Sequence, residues 1–303
     1  MEKTKVKKFN GKGGNVFYFV MLALPVLQFV VFYIAVNVNS FLMAFQTYDN
    51  STGTAVIGWT FDNFPYFFNG GVVSDILLCL KNSLLYFALM VFVCMPLSLL
   101  FSYYIYKKFR FSEFFKIILF LPSLVCISAL VVFYRYFVNN ALGSVTGGAI
   151  IGPIYHPQQG FVLIVFYMLL TLSANILLYI NALASVPDAV VEAAEIDGAS
   201  ETRTFFYVLL PQIWGTVVSF LMIFLAGIAT NQAYLFSFFG FNTNREYQTI
   251  GYYLFNMVQD KGVGGLEQMY RRAAALGLML TVVLAPITIG IRKAMLKFGP
   301  SEE

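Results

Sequence analysis

Charge is scarce in this chain. Only 11% of its 303 residues are Asp, Glu, Lys or Arg, against about 25% in an average soluble domain. A water-soluble fold of this length needs a charged skin, and 19 Lys and Arg with 15 Asp and Glu do not supply one. A soluble enzyme, a disordered chain and a typical nucleic-acid binder are disfavoured together. Histidine is scarcer still: His156 is the only one, and it sits beside Pro157 with no Cys or His at ligand spacing. It reads as a loop histidine, and no metal site is expected. Cys79, Cys94 and Cys126 make an odd count. They exclude a disulfide framework and read as small core residues. Gly143 and Gly148 have the spacing of a phosphate loop, but Ala149 and Ile150 stand where Lys and Ser/Thr are needed. No Ser-His-Asp or Cys-His set is evident, and no carboxylate pair lies inside an apolar run, where an ion-coupled pump often carries one.

What the chain has in abundance is apolar surface. It is 59% hydrophobic and 18% aromatic, with a mean hydropathy of +0.75. A bilayer core about 30 Å thick needs about 20 largely apolar residues per spanning helix. Six stretches qualify, at about residues 16–36, 82–106, 117–134, 161–183, 213–236 and 273–291. The composition therefore predicts an all-α integral membrane protein with six transmembrane helices. Pro25, Pro96, Pro122 and Pro286 fall inside these stretches. A membrane bundle tolerates them as local bends, because neighbouring groups satisfy the freed carbonyls.

The basic residues give an orientation. Lys3, Lys5, Lys7, Lys8 and Lys12 precede the first stretch, and Lys107, Lys108, Arg110 and Lys116 separate the second from the third. Arg203 precedes the fifth, and Arg292, Lys293 and Lys297 follow the sixth. Lys81, Arg135, Arg245, Lys261, Arg271 and Arg272 fall on the other side. The positive-inside rule then puts both termini in the cytoplasm. The expected layout is a basic leader over 1–15, one membrane domain over 16–298 and a tail over 299–303, with the first stretch retained as an anchor rather than cleaved.

One cytoplasmic segment, residues 186–212, is acidic and reads as a helix, a turn at Gly198 and a second short helix. Ser185 and Asp188 fit a capping box with Pro187 in the first turn. Ala189, Val190, Ala193, Ala194 and Ile196 supply an apolar face of small residues, expected to stay uncovered by the chain itself. Gly198 permits a positive φ and a close backbone approach. Such a knob suits a groove on a partner protein better than a lipid surface, because lipid-surface helices favour Lys and Arg on one face and bulky apolar residues on the other.

Glu192-Ala193-Ala194, then Gly198, then Val208-Leu209-Leu210-Pro211 nine residues later resembles the EAA motif of bacterial ABC importer permeases. Asp197-Gly198-Ala199 is similar to the version in carbohydrate-uptake permeases of the maltose type. Phe114-Phe115-Lys116 with Phe120-Leu121-Pro122, Asn63-Phe64 and Asn82-Ser83-Leu84 resemble other stretches of that family. Val208 replaces the usual Ile, and Gly215 stands where many members have a second proline. The resemblance implies a type I ABC importer permease fold and a membrane location in bacteria. It implies that Glu192, Ala193, Ala194, Asp197, Gly198, Ala199, Leu210 and Pro211 couple the chain to a cytoplasmic ATPase. It also implies partners: a second homologous permease, two ATPase subunits that hold ATP and Mg, an extracellular solute-binding protein, a sugar and membrane lipid. The chain itself would hold no cofactor and catalyse no reaction, and it would bind no nucleic acid. A glycerol-phosphate ester is the alternative solute, and a stand-alone secondary transporter is the alternative mechanism.

A sugar pathway needs hydrogen-bonding groups beside aromatic faces. Tyr167, Asn175, Tyr179 and Asn181 on the fourth stretch qualify, as do Asn231, Gln232 and Tyr234 near the end of the fifth. Hydrogen bonding within the bundle is an equal reading of each, since a buried amide in lipid must find a partner. The segment over 231–272, with Gly262, Gly264 and Gly265, either caps the pathway or is an ordinary loop.

Overall fold

The computed structural model describes residues 12–49, 56–145, 157–241, 243–259 and 266–299. His156, Gly148, Ala149, Ile150, the glycines at 262, 264 and 265, and the leader lysines before Lys12 lie outside the described residues.

The first apolar run forms α1 (Phe17–Met43). A short antiparallel hairpin follows, β1 (Gln46–Asp49) and β2 (Val56–Trp59), with Gln46 opposite Trp59 and Asp49 opposite Val56. The expectation of an all-α chain is corrected by this hairpin. Each strand is only four residues long, too short for a period-2 pattern to stand out. Then come α2 (Gly70–Tyr106), α3 (Ser112–Leu124), α4 (Ile127–Ala141) and α5 (Gly160–Ala184). The acidic segment forms α6 (Asp188–Ile196) and α7 (Glu201–Gln212), followed by α8 (Trp214–Thr230). Two short helices, α9 (Leu235–Phe239) and α10 (Ile250–Gln259), precede the long α11 (Leu266–Phe298).

Four of these, α1, α2, α5 and α11, are long and apolar enough to cross a membrane, and α3–α4 and α7–α8 raise the number to six if each bent pair is one span. The third expected span is not straight: α3 and α4 meet at 102°, and Pro122 sits in a 3₁₀ turn at the break. The fifth, expected over 213–236, runs only from Trp214 to Thr230, and α7 enters it at 72°. Other runs are longer than their apolar core. α2 begins at Gly70, so Asp75 and Lys81 ride on its first turns, and α11 extends over 33 residues, about 50 Å at 1.5 Å per residue.

The prolines act through backbone register. Pro96 and Pro211 each follow a five-residue π-helical segment, Met90–Cys94 and Phe205–Leu209. A proline ring clashes with the carbonyl four residues back, and widening the preceding turn relieves that contact while the helix continues.

The core is divided. Near the acidic segment, Met95, Leu99 and Tyr103 of α2 pack with Tyr179 and Leu183 of α5, and Val191, Phe205, Leu209 and Ile213 close the cluster. Toward the other end, Tyr86, Val131, Tyr167, Phe238 and Tyr252 form a second aromatic cluster. The hairpin region and α11 share a third, with Ala44, Phe67, Met257 and Leu276. α1 stands apart. Its most apolar stretch is entirely unburied, and it meets α11 through Val36–Met43. A helix with Phe19, Leu24 and Phe32 exposed is stable in lipid or against another protein.

Candidate functional site

The EAA segment is built from two helices joined by a tight cap. In α6, Val191 and Ala194 are buried one turn apart and face the bundle. Ala189, Glu192, Ala193 and Ile196 recur at intervals of three and four and are exposed, so they form the outward stripe. Ile196 is 86% exposed, which is unusual for a large apolar side chain. This divides the expected docking face. Ala194 belongs to the inner face and is covered by the chain itself, and Ile196 is the apolar tip of the outer one.

Gly198 has φ +73°, and its role is visible in the backbone. The Ala199 N–H donates to the Ala194 carbonyl and the Gly198 N–H to the Glu195 carbonyl, both at 3.0 Å. This pair of bonds is a Schellman cap, which needs a left-handed residue. A Cβ at Gly198 would meet nothing within 4 Å. The glycine is therefore required by φ, and the space beside it is open to a partner. Asp197 is exposed, and Ala199, Leu210 and Pro211 are half-buried. The expected capping box does not form. Pro187 is the N-cap without a side-chain bond, and the Ser185 hydroxyl donates to the Ala182 carbonyl at 2.6 Å. The second helix does have a side-chain cap, with Ser200 Oγ accepting from the Arg203 N–H at 3.4 Å.

Sequence reasoning missed Lys107, which it used only as an orientation signal. Its ammonium lies 2.7 Å from Glu195 Oε1 and 3.4 Å from Glu201 Oε2, and its side chain is 14% exposed. The Tyr103 hydroxyl also donates to the Glu201 carboxylate. Burial pulls the Lys107 pKa down, but the hydrogen bond to Glu195 and the charges of both carboxylates outweigh it and hold the pKa above the ordinary lysine value. No pattern in the local sequence points to a contact spanning 88 residues.

The expected pathway residues do not share one surface. Tyr167 and Tyr179 are both fully buried, but in different clusters. Tyr167 packs edge-on to Tyr234 and Phe238 at 5.1 Å, and Tyr179 lies 4.6 Å from Phe220. Asn175 is half-buried and Asn181 exposed. Asn231 is exposed, its Oδ1 accepts from the Ala233 N–H at 2.8 Å, and it turns the chain after α8. Gln232 and Tyr234 are half-buried, and Tyr234 takes a left-handed φ of 60°.

A cavity of about 290 Å³ lies between α2 and α8. Ser83, Tyr86, Phe87 and Met90 form one wall and Phe224 and Gly227 the other, with Asn231 and Thr249 at the rim. Of the expected pathway residues, only Asn231 lines it. Among the described residues, the buried Tyr86 hydroxyl has no hydrogen-bond partner. No lining residue carries a charge. Among the described residues, no group of three His, Cys, Asp or Glu could hold a metal.

The rim is fixed from the far side. Asn82 Nδ2 donates to the Glu246 and Gln248 carbonyls at 2.9 and 3.0 Å, and Ser83 Oγ accepts from the Ile250 N–H at 2.9 Å. The segment after α8 is thereby folded back over α2 rather than left as a loop. Gly251 seats it, since a Cβ there would lie 2.6 Å from the Thr230 carbonyl.

Residues 95–292 match the family described as binding-protein-dependent transport system inner membrane component. The chain belongs to this family. The permease is 26% identical over 284 residues to the arabinooligosaccharides transport system permease protein AraP of Halalkalibacterium halodurans, covering 89% of this chain and 85% of that one. It is 24% identical to AraP of Bacillus subtilis over 277 residues, covering 87% and 83%. The sn-glycerol-3-phosphate transport system permease protein UgpA of Yersinia pseudotuberculosis is 30% identical over 148 residues, covering 47% and 50%. Among solved structures, a bacterial ABC transporter involved in the import of the acidic polysaccharide alginate aligns with a TM-score of 0.75 at 19% identity, over 94% of the permease and 97% of that chain. The permease therefore has a type I ABC permease-like fold. It is a bacterial inner-membrane transport subunit rather than an enzyme.

Proposed function

We propose that this permease forms half of the translocation pathway of an ATP-driven importer for a sugar or oligosaccharide, with six spans and both termini in the cytoplasm. A solute-binding protein delivers the sugar from outside, a second related permease forms the other half, and two ATPases dock from the cytoplasm. The orientation is supported by the basic residues around α6 and α7. Lys107 contacts that segment directly, and Met295 near the basic end of α11 accepts from Trp214 Nε1 at 3.0 Å. The exposed stripe of Ala189, Glu192, Ala193 and Ile196 enters a cleft on the ATPase, with Ile196 as the apolar anchor and Glu192 as a charge partner. ATP binding closes the ATPases and moves α6 and α7, and α8 and α2 shift the cavity between outward and inward access. Hydrolysis resets it.

The observation that carries the solute reading is the near-full-length match to AraP, where UgpA matches about half the chain. The α2–α8 cavity offers no Lys or Arg to a phosphate ester, whereas a second cavity of about 370 Å³ beside α2 is lined in part by Asp75 and Arg245. In the α2–α8 cavity, an aromatic ring with hydroxyl and amide groups suits a neutral sugar ring.

Two measurements test the proposal. The solute-binding protein that supplies this permease, purified from cells with its ligand, is expected to carry a sugar; a phosphate ester in its place overturns the solute reading. Ile196→Asp is expected to abolish co-purification of the ATPase subunits while the permease stays in the membrane. Unchanged co-purification rules out the docking face.

A further inference from the structure

The Lys107 cluster joins three pieces of chain that are distant in sequence. Lys107 is the residue after α2, Glu195 is in the last turn of α6, and Glu201 is the first residue of α7. One ammonium is thus shared by a carboxylate from each arm of the helix–turn–helix, at 2.7 and 3.4 Å. Tyr103, one turn earlier on α2, adds hydrogen bonds to the Glu201 carboxylate and, at 3.1 Å, to its carbonyl. Lysines usually extend into water, and this one is largely covered. Any change in the angle between the arms at Gly198 would lengthen one of the two ion pairs. Any shift of the pair as a unit would pull on the end of α2.

α2 is also a wall of the cavity. It runs from Gly70 to Tyr106, and Ser83, Tyr86, Phe87 and Met90 face the cavity. Met90 lies about 25 Å from Lys107 along that helix. The covalent chain ties α6 and α7 to α5 and α8 but not to α2.

We propose that Lys107 is a positioning residue that passes movement of the α6–α7 segment to α2, and so to the second wall of the cavity. The inference rests on the reading of α6–α7 as the ATPase-docking element. Lys107 adds a polar tie to the apolar packing of Met95, Leu99 and Tyr103 against Val191, Phe205 and Leu209, through which α2 already meets α6 and α7. With the tie cut, that packing alone carries movement to α2, and the cavity walls follow the ATPase less closely.

The test uses the complete importer in proteoliposomes, with both permeases, the ATPases and the binding protein purified in complex with the solute it carries. ATP hydrolysis is measured with and without the loaded binding protein. In Lys107→Ala, the ratio of stimulated to basal hydrolysis is expected to fall about tenfold, within the usual range of coupling between sites. Glu195→Gln with Glu201→Gln is expected to give the same loss with Lys107 intact, and Lys107→Arg to retain most of the ratio. A Lys107→Ala importer that keeps its ratio, or whose two rates fall in proportion, overturns the proposal. So does one that sheds its ATPases, since Lys107 would then belong to the docking surface. The docking reading fails separately, if Ile196→Asp still holds the ATPases or if loaded binding protein does not stimulate the unaltered importer.

Discussion

The two ends of this permease are held by different kinds of interaction. At the α6–α7 end, an exposed stripe, a glycine cap and one shared lysine project a small element from the bundle. At the opposite end, the chain after α8 is tied to α2 by side-chain bonds from Asn82 and Ser83, and to the end of α8 by backbone approach at Gly251 and the bond from Thr249 to the Asn231 carbonyl. The basic residues there are also engaged. Arg245 lies 3.4 Å from Asp75, Arg271 lies 3.2 Å from Glu267, and Arg272 stacks 3.9 Å over the Tyr66 ring. At the α6–α7 end Glu195 and Glu201 are tied to Lys107, while Glu192, Ala193 and Ile196 stay exposed. At the far end Asp75, Arg245, Glu267 and Arg271 are paired, but among the described residues Thr243 Oγ1 and Asn256 Oδ1 are buried without a hydrogen-bond partner.

This contrast is open to direct attack. The largest effect is expected from Gly251→Ala. The new Cβ would lie 2.6 Å from the Thr230 backbone, which cannot yield as a side-chain tip would, so the cost is about 3 kcal/mol. Thermal melting of the detergent-purified permease is expected to drop several degrees, with the remaining folded fraction still binding its ATPases. Asn82→Leu comes next. It leaves the Glu246 and Gln248 carbonyls without their donor, at a cost of about 2 kcal/mol. Melting again measures it, and loss of ATPase binding without loss of stability would reverse the assignment of the two ends.

Much of the α6–α7 end was legible in the sequence, and little of the far end was. The EAA spacing is local, so Gly198 and the two helices could be placed from consecutive residues. Which side of α6 faces outward could not, because Ala193 and Ala194 are chemically identical and only the packing of Val191 and Ala194 separates them. The spans were legible as uncharged runs, and Pro122 marked a bend, but not that the chain turns by 102° there. Asn82 and Ser83 were visible as a family-like stretch, yet their partners lie more than 160 residues away. Lys107 escaped for the same reason. Tyr167 and Tyr179 pack in two core clusters, and an aromatic ring that packs a core and one that faces a sugar look alike in sequence.

At the α6–α7 end, smaller stability changes should accompany larger functional ones. Gly198→Ala puts a Cβ into open space, so the cost is the left-handed φ alone, about 1 kcal/mol. The melting temperature is expected to fall by a few degrees at most, while a cap that no longer holds its angle weakens ATPase retention on a pull-down. An equal fall for Gly198→Ala and Gly251→Ala would erase the difference between the ends.

Ser200→Ala is the smallest case and the sharpest control. Its Oγ accepts from the Arg203 N–H at 3.4 Å, a long bond at an exposed helix start. Cap deletions cost about 0.5 kcal/mol at the weak end of their range. Water can replace this acceptor, so melting should move by about 1 °C. The neighbouring Glu201 still reaches Lys107 and Tyr103, so those contacts rather than the cap are expected to fix where α7 begins. If Ser200→Ala also lowers the ratio of stimulated to basal ATP hydrolysis, the cap sets the position of Glu201 and the Lys107 contact depends on it. If the ratio holds, the ion pair positions the helix by itself.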